Sequence, residues 1–246
     1  MGSTGKSTNY GTITKPNGTV VQLPAKLVYS EDTGSMKIPQ NVLDFEKKYK
    51  NAKIEHLILQ NDWYGEIGRY KGKEGKVNAP KSAHLMADLS SHNHPRTGDQ
   101  EGWLSGTFSP QDIDVFAGYH TTDRVVGYEG IYSISKGNNF DNSIVSDYAK
   151  FADNLRDTNN KIITQWSKDC DNEHNALERK FKADNKGKSF DEFEKAYNKF
   201  ADDWKAINNK YLNKANDLAN KSAIDMHDWL LANQKKYGYT YGLTRG

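Results

Sequence analysis

Two histidines and one aspartate stand at a spacing that suits a metal ion. His92 and His94 are two residues apart, so on an extended strand both imidazoles project from the same face. Pro95 ends that strand, because it has no N–H to give to a sheet ladder. Two imidazoles and one carboxylate, that of Asp112, suit zinc, and three protein ligands leave a fourth position open, as in catalytic zinc sites.

The aspartate can reach the histidines if a helix begins just before it. Ser109 is a favourable N-cap, a proline follows at the first helical position, and Asp112 lies in the first turn, where carboxylates are stabilised. The intervening insert, residues 96–107, must then loop out of the fold. We expect Trp103 and Leu104 to be exposed on this loop, which could act as a lid or contact a substrate.

These residues resemble the signature of the JAMM (JAB/MPN) metalloprotease superfamily, which is a glutamate on an early strand, then His-x-His-Pro, then Ser-x-x-Asp. The match is His-Asn-His-Pro at 92–95 and Ser-Pro-Gln-Asp at 109–112. Its form is most similar to the branch found in RadC-like and phage head-morphogenesis proteins. Glu55 is the upstream glutamate that fits the pattern best. The resemblance covers residues 50–135, with a longer gap before the serine than is usual in the family.

The resemblance implies a complete set of roles. It implies zinc bound by three ligands, namely His92, His94 and Asp112. It also implies that Glu55 takes a proton from the attacking water and passes it to the leaving amine, while Ser109 donates a hydrogen bond to the developing oxyanion. Two alternatives stay open: Glu55 in an ion pair with a neighbouring lysine, and Ser109 as an N-cap only, worth about 1 kcal/mol of stability. One hydroxyl cannot serve as cap and oxyanion donor in every pose.

Composition sets broad limits on the class of protein. The chain has 246 residues, a formal net charge of +2 and a single cysteine, Cys170. This length suits one or two domains, and a lone cysteine excludes an intramolecular disulfide. No apolar run reaches membrane-spanning length, and no signal-peptide core follows the first residue. We therefore expect a cytoplasmic protein with neither nucleic acid nor membrane as its partner, and the resemblance to phage proteins adds association with a virion as the alternative location.

The hydrophobic pattern predicts an α/β (α+β) domain over residues 11–142, after a disordered segment at 1–10. Its predicted sheet is mixed, largely antiparallel and flanked by helices, as in JAMM proteins. The predicted elements are a hairpin turn at Asn17-Gly18, a helix over 40–51, strands over 54–60 and 65–70, a helix over 81–88, a strand before Pro95, a helix from Ser109, and strands over 124–128 and 130–135. His84, in the short second helix, is predicted to be a surface or packing histidine rather than a ligand.

From residue 143 the pattern changes to long helices, which predict an antiparallel coiled-coil arm over 143–225. A short polar turn at 184–188 separates the two helices, and Ser189 with Glu192 forms a capping box for the second one. The second helix carries apolar residues at steps of three and four, namely Phe190, Phe193, Tyr197, Phe200, Trp204, Ile207 and Tyr211. We expect Trp166 and Trp204 in the seam. Residues 226–246 are predicted to return to the globular domain through a last helix and a strand.

Two functions of different classes follow from these features. The first is a zinc-dependent peptidase or isopeptidase acting on a protein or peptide substrate, with a phage-related role implied by the resemblance. The second is a structural or interaction protein that binds a partner or another copy through the arm, with a silent metal site. A metal-dependent nuclease is disfavoured, because nucleases named for His-Asn-His do not place these residues consecutively and the net charge does not favour DNA.

Overall fold

The computed structural model describes residues 9–14, 20–28, 37–73, 75–95 and 104–245. Within these ranges the chain forms eight strands and five helices. The strands are β1 (Asn9–Thr14), β2 (Val20–Val28), β3 (His56–Asn61), β4 (Gly65–Lys71), β5 (Leu89–Asn93), β6 (Thr122–Val126), β7 (Ile131–Lys136) and β8 (Tyr239–Thr244). The helices are α1 (Gln40–Tyr49), α2 (Lys81–Met86), α3 (Pro110–Tyr119), α4 (Ile144–Asp184) and α5 (Phe190–Tyr237).

The chain divides into two compact units. The first comprises residues 1–152 and 219–246, and the second comprises residues 153–218. The two long helices therefore contribute their globular ends to the first unit and their remaining length to the second, which we call the arm. Among the described residues, no helix is both long and apolar enough to cross a membrane.

The first unit is built on a six-stranded sheet in the order β4-β3-β5-β6-β7-β8. Only β5 and β6 pair in parallel, and every other neighbouring pair is antiparallel. The predicted mixed α/β fold with a largely antiparallel sheet is therefore confirmed. Strands β1 and β2 form a separate antiparallel pair, whereas the predicted turn at Asn17-Gly18 lies outside the described residues. The prediction of disorder at 1–10 also falls outside them, except that β1 begins at Asn9.

The two central strands β5 and β6 are buried along their whole length. Parallel neighbours cannot be joined by a tight hairpin, so the chain must cross from the end of β5 back to the start of β6. Helix α3 makes this crossover, and its Ile113 and Phe116 are fully buried. They pack in the main core with residues of the last three strands, such as Val125, Tyr132 and Leu243. The crossover therefore places the start of α3 near the end of β5.

The opposite face of the sheet contains a buried ion pair. The Arg124 guanidinium donates to both carboxylate oxygens of Glu46 on α1, at 2.6 and 2.9 Å. Ser91 donates a hydrogen bond to the same carboxylate at 2.9 Å, and Arg124 also donates to Ser133 at 2.8 Å. Because both charged groups are satisfied on several sides, this network can anchor α1 on the sheet despite its desolvation.

In the arm, α4 and α5 run antiparallel. The contacts show this, because later residues of α4 contact earlier residues of α5. His174 stacks on Trp204 with ring centroids 3.8 Å apart, and Phe181 contacts Phe200 at 4.7 Å. Further along, Glu173 accepts hydrogen bonds from Lys210 and Tyr211. The expected place of Trp204 in the seam is therefore confirmed.

Near the turn, the spacing of the aromatic residues predicts more burial between the two helices than the structure has. Phe190 is 78% exposed, Tyr197 52% and Phe193 42%, although their spacing predicts burial. The facing end of α4 offers Phe181 as an apolar partner but then continues with the polar residues Lys182 and Asp184. Phe181 still contacts Phe193 and Tyr197, with ring centroids 5.5 and 6.3 Å apart, so the seam is only partly covered near the turn.

Helix α5 continues to Tyr237 without a break, where the sequence predicts a separate last helix after residue 225. No proline or glycine interrupts residues 190–237, so nothing forces the helix to stop. Gly238, with φ of +67°, ends it in the left-handed conformation that favours glycine. The chain then joins the sheet through β8, which pairs with β7.

We predict that removing one partner of the buried ion pair strongly destabilises the first unit. Arg124→Met leaves the Glu46 carboxylate buried without its cation, which should cost about 3–5 kcal/mol of unfolding free energy in urea titrations. The matched control is Arg69→Met, which breaks the exposed pair with Glu66 and should cost less than about 1 kcal/mol. Equal losses in the two variants would contradict the anchoring role of the buried pair.

Candidate metal centre

The two histidines lie at the carboxyl end of β5. His92 is the fourth residue of the strand, and His94 directly follows its end while its N–H still donates to the Val126 carbonyl at 3.1 Å. The backbone therefore stays extended through both residues, and the side chains share one face. Their Nε2 atoms are 3.1 Å apart. The predicted pairing of the two imidazoles on one face is thus what the structure has.

Asp112 reaches these imidazoles from the first turn of α3. Its Oδ1 lies 3.4 Å from His92 Nε2, and its Oδ2 lies 3.6 Å from His94 Nε2. A capping box fixes the carboxylate: Ser109 N–H donates to Oδ2 at 2.7 Å, and Ser109 Oγ accepts from Asp112 N–H at 3.2 Å. The N-cap predicted at Ser109 is confirmed, and it orients the third candidate ligand.

The distances within this triad fit a bound metal ion. Ligand atoms about 2.0–2.1 Å from a tetrahedral ion lie about 3.3 Å from one another, and the three closest approaches here span 3.1–3.6 Å. Among the described residues, His92, His94 and Asp112 form the one group of three such side chains close enough to hold a metal ion. A fourth position is left open, because no further His, Cys, Asp or Glu of the described chain joins the group.

The carboxylate and the imidazoles of the triad each stabilise the charged form of the other. Burial raises the pKa of Asp112, but His92 and His94 outweigh this effect and hold it well below its usual value. Burial lowers the pKa of His92, but the Asp112 carboxylate outweighs this and the net pKa is raised. Without an ion the cluster is therefore stabilised as a charged pair, and a cation that replaces the imidazole protons would keep the same carboxylate ionised.

Glu55 lies beside the triad, just before β3. It lines a cleft of about 270 Å³ together with His92, His94, Asp112 and Ser109, and it is only 9% exposed. Burial raises the pKa of its carboxyl group, partly offset by the two histidines and by a hydrogen bond from the backbone of Val77. The alternative role of Glu55, an ion pair with a lysine, is not observed: within the described part of the chain no salt bridge joins Glu55 to a lysine.

Asn93, between the two histidines, fixes the backbone around Glu55. Its Oδ1 accepts a hydrogen bond from His56 N–H at 2.7 Å, and its Nδ2 donates to the Ile54 carbonyl at 3.1 Å. On the other side, Gly72 N–H donates to the Glu55 carbonyl at 2.8 Å. The buried carboxamide thus replaces a peptide group where the β3–β5 ladder ends. Sequence reasoning did not identify this role, because the residues that Asn93 bonds are nearly forty positions away.

The hydroxyl of Ser109 acts as the N-cap of α3 and keeps the hydrogen that the expected oxyanion role would need. In the capping box its oxygen accepts a hydrogen bond through a lone pair, and its hydrogen stays available for another acceptor. Ser109 also lines the cleft beside Glu55. The cap and a donor role towards the cleft are therefore compatible in this pose.

One expectation about a neighbouring residue needs correction. Leu104 is buried in the main core rather than exposed, because its N–H donates to Asn220 Oδ1 at 2.6 Å and its side chain packs among core residues. Trp103 and the rest of residues 96–103 lie outside the described residues. His84 lies outside the triad, as predicted; it lines the same cleft and contacts His120, with His84 Nδ1 3.1 Å from His120 Nε2.

Comparisons with protein-family models, with curated proteins and with solved structures give no match for this chain. The geometry of the site therefore carries the functional argument.

We predict that the chain binds one divalent metal ion through this triad. Elemental analysis of protein purified without chelators should find about one equivalent, and His92→Ala or His94→Ala should abolish stoichiometric binding, because each removes one of three protein ligands. The matched control is His84→Ala, a histidine of the same cleft outside the triad, which should keep the ion. Full occupancy in the His92→Ala/His94→Ala double variant would contradict the ligand assignment.

Proposed function

We propose that this protein is a zinc-dependent peptidase or isopeptidase of the JAMM type. The observation that carries the proposal is the placement of a buried carboxylate, Glu55, in the same cleft as the triad of His92, His94 and Asp112. A purely structural metal site would need no base beside an open position. The resemblance to RadC-like and phage proteins makes a protein substrate in the cytoplasm or in a virion the setting that we propose.

The donor set supports zinc over other metals. Two imidazole nitrogens and one carboxylate match the mixed nitrogen and oxygen ligands of catalytic zinc, whereas magnesium and calcium prefer oxygen ligands throughout. Zinc, when bound, lowers the pKa of water and polarises a carbonyl group. His92 and His94 hold the ion from the strand end, and Asp112 closes the site from the helix start.

Glu55 is the residue that moves protons in this proposal. Its carboxylate takes a proton from the attacking water onto an oxygen atom and passes it to the nitrogen of the leaving amine. Burial favours this role, because it raises the pKa of the carboxyl group and makes the carboxylate a stronger base. Asn93 and Gly72 hold the backbone around Glu55 in place, so the point from which the carboxylate projects is fixed before substrate binds.

Ser109 completes the set from the start of α3. Its Oγ hydrogen, which the capping bond leaves available, donates to the oxygen of the scissile carbonyl as negative charge develops there. Because the cap fixes the Ser109 backbone, this donor is positioned before substrate arrives. In this proposal the metal ion is held by the end of β5 and the start of α3, and the oxyanion is bound from the start of α3. The proton is moved by Glu55, the residue directly before β3.

We predict that Glu55→Gln preserves the fold and the bound zinc but lowers peptide-bond hydrolysis about 10²–10⁴-fold, the usual share of general acid–base catalysis. The assay incubates the zinc-loaded protein with a proteome-derived peptide library and identifies cleaved members by mass spectrometry. The matched control is Glu66→Gln on β4, whose carboxylate pairs with Arg69 at the surface. If Glu55→Gln cleaved the library as fast as the unmodified protein, Glu55 would not be the base.

A second candidate function is self-association through the arm, and the exposed aromatic side chains at its tip favour it. Phe190, Phe193 and Tyr197 lie within two turns at the turn-proximal end of α5, and they are 78%, 42% and 52% exposed although Phe193 and Tyr197 also contact Phe181. Contiguous exposed apolar surface of this kind marks interaction sites more often than chance. This candidate describes an assembly role that needs no turnover at the metal site.

We predict that, if the arm self-associates, Phe190→Ser combined with Tyr197→Ser shifts the protein towards the monomer, because it removes two exposed rings from the contact. Sedimentation velocity over a range of protein concentrations measures the shift. Ile163→Ser, which changes an exposed apolar residue elsewhere on the arm, should leave the sedimentation unchanged. A monomer at every concentration in the unmodified protein would exclude self-association.

A further inference from the structure

A second polar chain, separate from the metal triad, leads from the buried sheet to the cleft. Asp123 on β6 lies with its Oδ1 2.7 Å from His120 Nδ1. His120 Nε2 in turn lies 3.1 Å from Nδ1 of His84. Asp123 is 2% exposed and His120 is fully buried, whereas His84 is only partly buried and lines the cleft. The chain therefore runs from a buried carboxylate through one imidazole to a second imidazole at the cleft.

The hydrogen-bonding capacity of the carboxylate fixes the direction of the first bond in this chain, and a neutral His120 ring then fixes the direction of the second. A carboxylate only accepts, so His120 Nδ1 must donate to Asp123. In the neutral ring, His120 Nε2 then carries a lone pair and accepts from His84 Nδ1–H. His84 is left with an unprotonated Nε2, for which no bond to another described residue is present. Its lone pair is therefore available in the cleft.

Two further observations favour this neutral arrangement at His84. Burial lowers the pKa of the His84 imidazole, which favours the neutral ring with its one lone pair. The Asp123 carboxylate also holds the His120 ring in its Nδ1–H form, much as carboxylates orient the histidines of metal sites. Through His120 it favours the Nδ1–H form of His84 as well. Burying Asp123 and His120 is costly unless both are paired, and the chain satisfies them while ordering one exposed nitrogen.

His84 belongs to the same cleft as the metal triad. Ser90 lies two residues before His92 on β5, about 7 Å along the strand, and its direct neighbour across the parallel ladder is Asp123. Ser90, Asp123 and His84 line the cleft together with the triad and Glu55. Because His84 lines the same cleft as the triad, a peptide that occupies this cleft with its scissile bond at the triad has backbone groups that can meet His84.

We propose that His84 Nε2 is a preorganised hydrogen-bond acceptor that binds a backbone N–H of the peptide substrate beside the scissile bond. The inference rests on the proposed peptidase function, which it deepens by assigning a substrate contact. A lone pair backed by the negative charge of Asp123 selects a donor such as an amide N–H and disfavours a carbonyl or a carboxylate at this point. His84 acts in binding and takes no part in the chemical step.

The first test reads the protons directly. Long-range nitrogen–proton NMR of protein labelled with ¹⁵N-histidine should show His84 protonated at Nδ1 and unprotonated at Nε2. Asp123→Asn should reverse the chain, because an asparagine amide can donate to His120 Nδ1, which makes both His120 and His84 carry their proton at Nε2. His56, outside the chain, serves as an internal control whose signals should not change. A protonated His84 Nε2 in the unmodified protein would overturn the assignment.

The second test measures substrate binding with one synthetic peptide chosen from the cleaved library members. His84→Phe should raise KM about tenfold, the scale of one hydrogen bond, while kcat changes less than about twofold. Asp123→Asn should raise KM similarly, since it turns the acceptor into a donor. N-methylation of the peptide should weaken binding at one backbone position for the unmodified protein and have no effect there for His84→Phe.

The outcomes separate this inference from the proposed function. If the unmodified protein cleaves no library peptide, the peptidase proposal and its substrate contact both fall, while the NMR result still decides the state of His84. If peptides are cleaved but His84→Phe lowers kcat and leaves KM unchanged, the binding role is wrong and the peptidase proposal stands. If both variants unfold, His84→Gln, which keeps an acceptor oxygen, should restore folding and most of the affinity; failure to do so would count against the inference.

Discussion

The parallel pairing of β5 with β6 is the constraint on which the site depends. A parallel neighbour requires the chain to cross back over the sheet, and α3 is that crossover. The helix must therefore begin above the carboxyl end of β5, where ligand sites of parallel strands usually lie. His92 and Asp112 are thus brought together by the topology of the sheet. The capping box at Ser109 then fixes the Asp112 carboxylate, with its Oδ1 3.4 Å from His92 Nε2.

Polar groups are buried on both faces of the sheet, with different consequences. On one face, Arg124 and Glu46 satisfy each other and hold a helix. On the other face, the buried polar groups lead into the cleft, through Asp112 to the triad and through Asp123 to His84. The first set is closed on itself, which suits a structural role. The second set ends in side chains that line the cleft, which suits binding of a ligand.

Several residues of the site have a structural use in addition to the role that we propose for them. Ser109 caps α3 through a lone pair and keeps its hydrogen for the cleft. Asp112 completes the capping box while it faces the imidazoles. Asn93 ends the β3–β5 ladder with its carboxamide and thereby orders the backbone of Glu55. A site built from such residues is rigid, because moving a functional group would also break a helix cap or a strand end.

The sequence by itself determined the local features: the strand that carries His92 and His94, the cap at Ser109, the mixed sheet and the long helices. These follow from residue spacing, capping chemistry and periodicity, which act over a few residues. Only the tertiary structure decided what distant segments do to one another. It placed Leu104 in the core, opened the aromatic seam at Phe190, and joined Asn93 to the backbone beside Glu55. The physical reason is that burial and hydrogen-bond partners depend on which segments face each other, and local spacing does not encode that.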